Sequence, residues 1–255
     1  MRDPSELRTA DDVDAMASAL YSAPLPFAEG VVHVTAVAKE GERRTVIAIG
    51  PHAPKSGIDF FILNLTRARV DAIVVSGSVL RAEPELRYEL GGATRALSAW
   101  RARHTDTPPW LLVLSRGDLS AEHPVWDSWA RPLVYVPDDA VSRLRAVLPA
   151  RVEVVGAARP SARGAIAHLR ADRGCRAVSI EAGPRVAVPL YDEPLAIDEL
   201  LLSVYGGELD PAARAGAFLD ESELSTRLER RAATAVGEWT FSRWLGRRGS
   251  AGGSG

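Results

Sequence analysis

The stretch "RTVIAIGPHAPKSGIDFFILNLTRARVDAIVVSG", residues 44–77, carries the reading that decides the fold. Its first part, "RTVIAIG", is a short apolar run rich in β-branched residues, which suits a strand. "GPHAPK" then breaks any regular structure. From Ser56 to Arg69 the residues Ile58, Phe61, Ile62 and Leu65 recur at intervals of three and four, which puts them on one face of a helix. "DAIVVSG" follows as a continuous apolar strand. Strand, helix and strand in this order predict a βαβ unit.

The same alternation extends in both directions. Upstream, "VVHVTAVA" (31–38) reads as a strand joined to 44–50 through the turn "KEGE". Ser5 to Tyr21, with Leu7, Val13, Met16, Ala17 and Leu20 apolar, reads as an amphipathic helix. Downstream come a helix around Gly92–Arg103, the strands "WLLVLS" and "PLVYV", and a helix from Asp138 to Leu148. The strand "VEVVG", a helix from Ser161 to Arg173 and "AVSIEAGPRVAVPLYD" (177–192) follow. "IDELLLSVYGG" reads as a strand, and "ELSTRLERRAATA" with "GEWTFSRWL" as two antiparallel strands turning at Val236-Gly237. Near-continuous Val/Ile/Leu strands between helices imply a sheet buried on both faces. The expectation is one α/β domain with a mixed, mostly parallel sheet flanked by helices on both faces, and antiparallel strands at the C-terminus. Its parts would be a helical extension (1–30), the domain proper (31–245) and a flexible tail (246–255).

Composition narrows the function classes. At 255 residues, 46% of them hydrophobic, the chain can bury a large core. A formal charge of −2 gives no reason to expect nucleic acid or an anionic membrane as a partner. There is no apolar leader and no run of eighteen apolar residues, so a cytoplasmic protein is expected. One cysteine, Cys175, excludes an internal disulfide and a Cys-clustered zinc site, and suits a half-buried structural thiol. The five histidines (His33, His52, His104, His123, His168) read as lacking an i,i+4 pair or a carboxylate at ligand spacing, so no metal centre is expected. No G-x-S-x-G elbow points to a hydrolase. The tryptophans, among them Trp110, Trp126, Trp129, Trp239 and Trp244, suit core or dimer contacts.

Ligands of such sheets bind beyond the carboxyl ends of the parallel strands. Three of those ends carry suitable chemistry: Ser76-Gly77-Ser78-Val79-Leu80-Arg81, Ser115-Arg116-Gly117, and Glu181-Ala182-Gly183-Pro184. Small residues let the main chain approach a ligand, a guanidinium holds a phosphate through two N–H groups, and proline suits a helix start. Each alone is an ordinary turn. Together on one edge they suggest a phosphorylated nucleotide.

The same segments resemble the reductase domain of the bacterial bifunctional riboflavin-biosynthesis deaminase-reductase, a relative of dihydrofolate reductase in fold. "DAIVVSGSVLRAEP" is similar to that family's D-A-I-L-V-G-x-G-T-V-R-A-D-D-P, "VSIEAGPRVAVPLY" to its strand-E-G-G-P-x-L, and "AIDELLLSVYGG" to its V-D-E-L-x-L-x-x-x-P-x-x-x-G. "GEWTFSRW" resembles its closing strand, and the likeness spans roughly Val31 to Leu245. The resemblance implies a dihydrofolate reductase-like fold, NADPH as hydride donor, a homodimer, and hydride transfer to a ribosylamine carbon opened to its imine. By position it places Gly77, Ser78, Val79 and Arg81 at the cofactor phosphates, and Ser115 and Arg116 at the adenosine 2′-phosphate. Main-chain contacts would come from Glu181, Ala182, Gly183 and Pro184. The loop with Gly50 and Pro51 would approach the nicotinamide. Ser56, Glu83 and Arg87 would face substrate, with Glu40 and Asp59 as catalytic acids; for Ser56 and Asp59 ordinary helix capping is an equal alternative.

The departures are specific. "VAKEGE" offers Glu40 where the family has S-L-D-G, Ala182 replaces a glycine, Val79 a threonine, and Glu83-Pro84 stands for D-D-P. No H-x-E with P-C-x-x-C is present, so zinc-dependent deamination is not expected. Two readings stand: an NADPH-dependent reductase of a small heterocyclic or ribosylamino-pyrimidine substrate, or a non-catalytic descendant acting as a nucleotide-binding or protein-interaction module.

Overall fold

The structure, a computed structural model, describes residues 2–247; most of the tail expected at 246–255 lies outside the described residues. The elements in chain order are α1 (Ala10–Tyr21), β1 (Gly30–Glu40), β2 (Arg43–Ile47), α2 (Gly57–Ala68), β3 (Ala72–Ser76), α3 (Gly77–Ala82) and α4 (Thr94–Ala102). They continue with β4 (Trp110–Leu114), β5 (Arg131–Pro137), α5 (Val141–Val147), β6 (Glu153–Ala157), α6 (Ala162–Arg173), β7 (Ala177–Ile180) and α7 (Pro184–Ala187). β8 (Glu199–Tyr205), β9 (Arg214–Phe218), α8 (Glu221–Arg227), β10 (Leu228–Val236) and β11 (Trp239–Gly246) complete the chain.

One sheet runs β10-β11-β8-β1-β7-β3-β4-β5-β6, with β2 paired to β1 and β9 paired to β2. The strands from β8 to β6 are mutually parallel, while β11 and β10 close the sheet antiparallel. The continuous apolar runs lie at its centre: every residue of Ala72–Ser76 and of Ala177–Ile180 is buried. On one face Val13 and Leu20 of α1, Phe61 and Leu65 of α2, and Leu97 and Trp100 of α4 form a core. On the other, Ala165, Ile166 and Leu169 of α6 pack with Tyr191 and Phe218. The mixed, mostly parallel α/β sheet with helices on both faces is therefore present as expected.

Three local expectations are corrected. Residues 44–77 are not a βαβ unit, because β2 runs antiparallel to β1 and hence to β3. The reversal follows from the tight turn at Gly41, whose φ of +66° suits glycine. "ELSTR" is helical, since Asp220 and Glu223 form a capping box that starts α8 and leaves the strand to begin at Leu228. The N-terminal helix starts at Ala10, not at Ser5: Thr9 and Asp12 make the capping box there. α1 is packed into the domain, with Trp100 Nε1 donating to Asp14 at 2.7 Å and Thr234 Oγ1 to the Leu20 carbonyl at 2.7 Å.

Candidate functional site

The registers around β1 create a crevice. On one edge β1 pairs with β8 from Val32 to Ala38. On the other, β7 pairs only as far as His33, and β2 takes over only from Val37. No strand is registered against Val34, Thr35 and Ala36 on that edge. Beyond His33, β7 extends its pairing to β3 by one bond, Glu181 N to the Val74 carbonyl at 2.9 Å, and then turns away through Ala182-Gly183. β9 borders the opening: a side chain on Gly216 would meet Pro184 Cγ at 3.2 Å. Main-chain groups of β1 are thus left available to a ligand at the carboxyl end of a parallel strand.

The rim beside the crevice holds the predicted phosphate segments. Gly77 packs so closely that an added Cβ would lie 2.9 Å from Ser115 Oγ and 3.2 Å from its Cβ. Ser76 caps α3 without a side-chain bond to its N–H groups, its hydroxyl being shared with Ser78 Oγ at 2.7 Å. The first N–H groups of that turn, at Gly77, Ser78 and Val79, therefore have no side-chain cap. Ser115 Oγ accepts from Gly117 N at 3.1 Å, where Gly117 takes a φ of +101°. Arg81 is occupied by Asp118, its Nη1 lying 3.3 Å from the carbonyl and 3.8 Å from the carboxylate. Arg116 is exposed and forms no hydrogen bond or ion pair among the described residues. Arg87 is exposed in the same way on the loop after α3.

The Glu181 side chain turns inward. Arg67, on α2, donates from Nε at 3.1 and 3.0 Å and from Nη2 at 2.7 Å, while its guanidinium stacks 4.4 Å from the Tyr88 ring centre. Glu83, at the end of α3, faces the same group; burial raises its carboxyl above the usual range, opposed by Arg67 and reinforced by Glu181. The segment Glu181–Pro184 thus presents main chain to the crevice and uses its acid as an anchor. Ala182 and Gly183 are half-buried, and Pro184 opens α7, which is only four residues long.

The two candidate acids lie apart. Glu40 sits at the end of β1, where its carboxylate takes Arg214 Nη2 at 2.5 Å and Thr45 Oγ1 at 3.1 Å. That is four residues, roughly 13 Å of strand, beyond Ala36. Its carboxylate is spent on the β2–β9 wall. Asp59 lies in the first turn of α2, where Ser56 Oγ accepts from its N–H at 3.1 Å, so Ser56 performs the capping and frees the Asp59 carboxyl. Burial raises that carboxyl above its usual range, opposed by the Ser203 hydroxyl on β8. Ser203 is the register partner of Ala36 in the open stretch of β1. Gly50 and Pro51 form the turn before α2, and the Gly50 carbonyl is taken by Lys55 Nζ at 3.0 Å. Exposed Ile49 and Phe60 flank this end.

Sequence reasoning missed Arg67, Tyr88 and Ser203. Arg67 could have been flagged as a cation closing the apolar run "FFILNLTR"; nothing local marks the other two. The histidines also need correction: His168 and Asp172 stand one helical turn apart, with Nδ1 2.6 Å from the carboxylate, and His52 Nδ1 lies 2.9 Å from Asp210. His33 is buried beside Tyr191, its Nδ1 2.8 Å from the phenol, and burial pushes it down to about 3. Cys175 is buried, and burial pushes its thiol up to about 11. Two open depressions of about 400 Å³ each lie elsewhere, one against Trp100 and Pro24–Pro26, the other against Arg163 and Asp198. No helix among the described residues is long and apolar enough to cross a membrane.

No protein-family model and no curated protein matches the chain. Solved structures do. RibD of Acinetobacter baumannii superposes with a TM-score of 0.62 at 19% identity over 91% of this chain, which spans 60% of that protein. A pyrimidine reductase-like protein of Corynebacterium diphtheriae gives 0.66 at 21% identity, covering 91% of this chain and 99% of that one. The riboflavin biosynthesis reductase Rib7 of Saccharomyces cerevisiae gives 0.58 at 10% identity, covering 93% and 100%. At these identities the likeness is one of fold: the chain has the fold of the riboflavin-biosynthesis reductases.

Proposed function

We propose that this chain is an NADPH-dependent reductase that transfers hydride to a small heterocyclic substrate of the ribosylamino-pyrimidine class. The observation that carries the reading is the parting of β1 from β7, which leaves Val34, Thr35 and Ala36 without a partner strand on that edge of the sheet. NADPH, when bound, supplies the hydride. The residues fit such a group: the rim has no room for a Cβ at Gly77, main-chain N–H groups at Gly77–Val79 suit phosphate oxygens, and Arg116 suits a phosphate monoester. Asp59, whose carboxyl burial pushes above its usual range, would be the proton donor to a substrate nitrogen beside the carbon that accepts hydride. Glu83, which ends α3, and Arg87, on the loop after it, are assigned to the substrate. The chain's main contribution is to hold two ligands face to face and keep water out.

A non-catalytic nucleotide-binding or protein-interaction role has one observation in its favour, because Arg81 and the Ser115 hydroxyl are spent on Asp118 and Gly117. Titration with NADPH and NADH separates the two. Loss of one charged hydrogen bond costs about 1.5–3 kcal/mol, roughly ten- to a hundred-fold in affinity. Arg116→Ala should weaken NADPH by that factor and leave NADH unchanged. Equal losses would remove the 2′-phosphate role of Arg116, and no binding of either nucleotide at millimolar concentration would remove the reductase reading.

A further inference from the structure

The loop that carries Arg116 is held by side chains from three different elements. Gly117 N donates to Ser115 Oγ at 3.1 Å, at the end of β4. The Gly117 carbonyl accepts from Arg143 Nη2, on α5, at 3.0 Å, and the Asp118 carbonyl accepts from Arg81 Nη1, on α3, at 3.3 Å. Each of the three peptide units that follow the Arg116 Cα is therefore fixed by a side chain. The Arg116 guanidinium itself is exposed and unpaired among the described residues. Gly117 makes the approach of α5 possible: its φ is +101°, and an added Cβ would lie 2.9 Å from Arg143 Nη2 and 3.0 Å from Ala140 Cβ.

Such a loop suits an anion in two ways. A free carbonyl oxygen beside a phosphate repels it, and here the two carbonyls after Arg116 are turned to guanidinium groups. A backbone already fixed also has less freedom to lose when Arg116 closes on a ligand. The two clamping arginines differ in what else they touch. Arg81 Nη1 lies 3.5 Å from the Cβ position at Gly77 and 3.8 Å from the Asp118 carboxylate, so it borders the phosphate rim itself. Arg143 has no carboxylate partner among the described residues and meets the rim at Gly117. We propose that Arg143 is a positioning residue for Arg116: by holding the Gly117 carbonyl it fixes the backbone from which Arg116 reaches a phosphate monoester, so that α5 sets the preference for a 2′-phosphorylated nucleotide. The inference rests on the reading of Arg116 as the partner of that phosphate.

The test titrates the full chain with NADPH and with NADH in four forms: parent, Arg143→Ala, Arg116→Ala and the double variant. Loss of one hydrogen bond that acts through the backbone should weaken NADPH by about three- to tenfold in Arg143→Ala and leave NADH unchanged. A merely structural role would weaken both nucleotides alike, and that result overturns the proposal. The double variant should bind NADPH no worse than Arg116→Ala, because Arg143 acts only through Arg116. Multiplied losses in the double variant overturn the proposal, since Arg143 would then act on the phosphate without Arg116. Arg143→Lys, which keeps a donor of similar reach, should restore most of the preference. A second readout needs no nucleotide: in Arg143→Ala the Gly117 amide proton should exchange roughly fivefold faster, and an unchanged rate overturns the proposal. A parent chain that binds neither nucleotide removes the reductase reading and this inference together, whereas an NADPH-selective parent with an indifferent Arg143→Ala removes this inference alone.

Discussion

Glu181→Ala tests what holds the Glu181–Pro184 segment in place. In the folded chain Arg67 reaches Glu181 through three N–H···O contacts of 2.7–3.1 Å, with side chains 9% and 5% exposed. Removing the carboxylate leaves the guanidinium buried, and its stacking 4.4 Å from the Tyr88 ring centre keeps it from swinging into water. Breaking a buried pair by deleting one partner costs about 3–5 kcal/mol. For a domain of this size each kcal/mol moves Tm by roughly 2–4 °C, so a fall of about 6–20 °C is expected. Glu83, close to the same guanidinium, relieves part of the loss when ionised, which makes the fall larger in acid. Urea unfolding followed by tryptophan fluorescence measures the cost at neutral pH, and the double variant Arg67→Met with Glu181→Gln supplies the cycle. The double variant should lose much less than the sum of the singles, because no charge is left buried. A cost below about 1 kcal/mol for Glu181→Ala, or strict additivity in the cycle, would refute the anchor.

Two further outcomes concern the crevice itself. Asp59 has a folded-state pKa above its unfolded value, so it contributes stability that is present below the unfolded carboxyl range and lost as pH rises through the folded value. Asp59→Asn should therefore unfold at higher urea than the parent at pH 7 and show no such gain at pH 3; a less stable variant at pH 7 would contradict the assignment. Gly77→Ala forces a Cβ to within 2.9 Å of Ser115 Oγ and 3.2 Å of its Cβ. Overpacking of this kind costs about 1–3 kcal/mol, and calorimetry should show the Tm falling together with nucleotide affinity, whereas an unchanged Tm would mean that the rim yields freely.

The parts legible in the sequence are those decided by local periodicity. β3, β4, β5 and β7 were readable because strands buried on both faces are continuous Val/Ile/Leu runs. Periodicity carries no direction, so the antiparallel run of β2 was not readable from residues 44–50. β9 escaped because "RAGAF" is largely exposed and contains Gly216 at a φ of +139°, and α3 because it spans six residues. Among the candidate site residues, Gly77, Ser115 and Gly183 were legible as small residues at strand ends. The roles of the acids were not: Glu181 meets Arg67 across 114 positions, and Glu40 meets Arg214 across 174. A carboxylate reads the same in sequence whether it is an anchor, a wall or a proton donor.

The open stretch of β1 also has a mechanical meaning. On one side of His33 the strand is clamped between β7 and β8; on the other side of Val37 it is clamped between β8 and β2. The sheet therefore divides into two wings, one carrying β7 to β6 and the other β2 with β9, held together through β1 and β8. The opening is thus bounded by a ladder on its β8 edge alone, and its width is set by where β7 and β2 stop rather than by bonds across it.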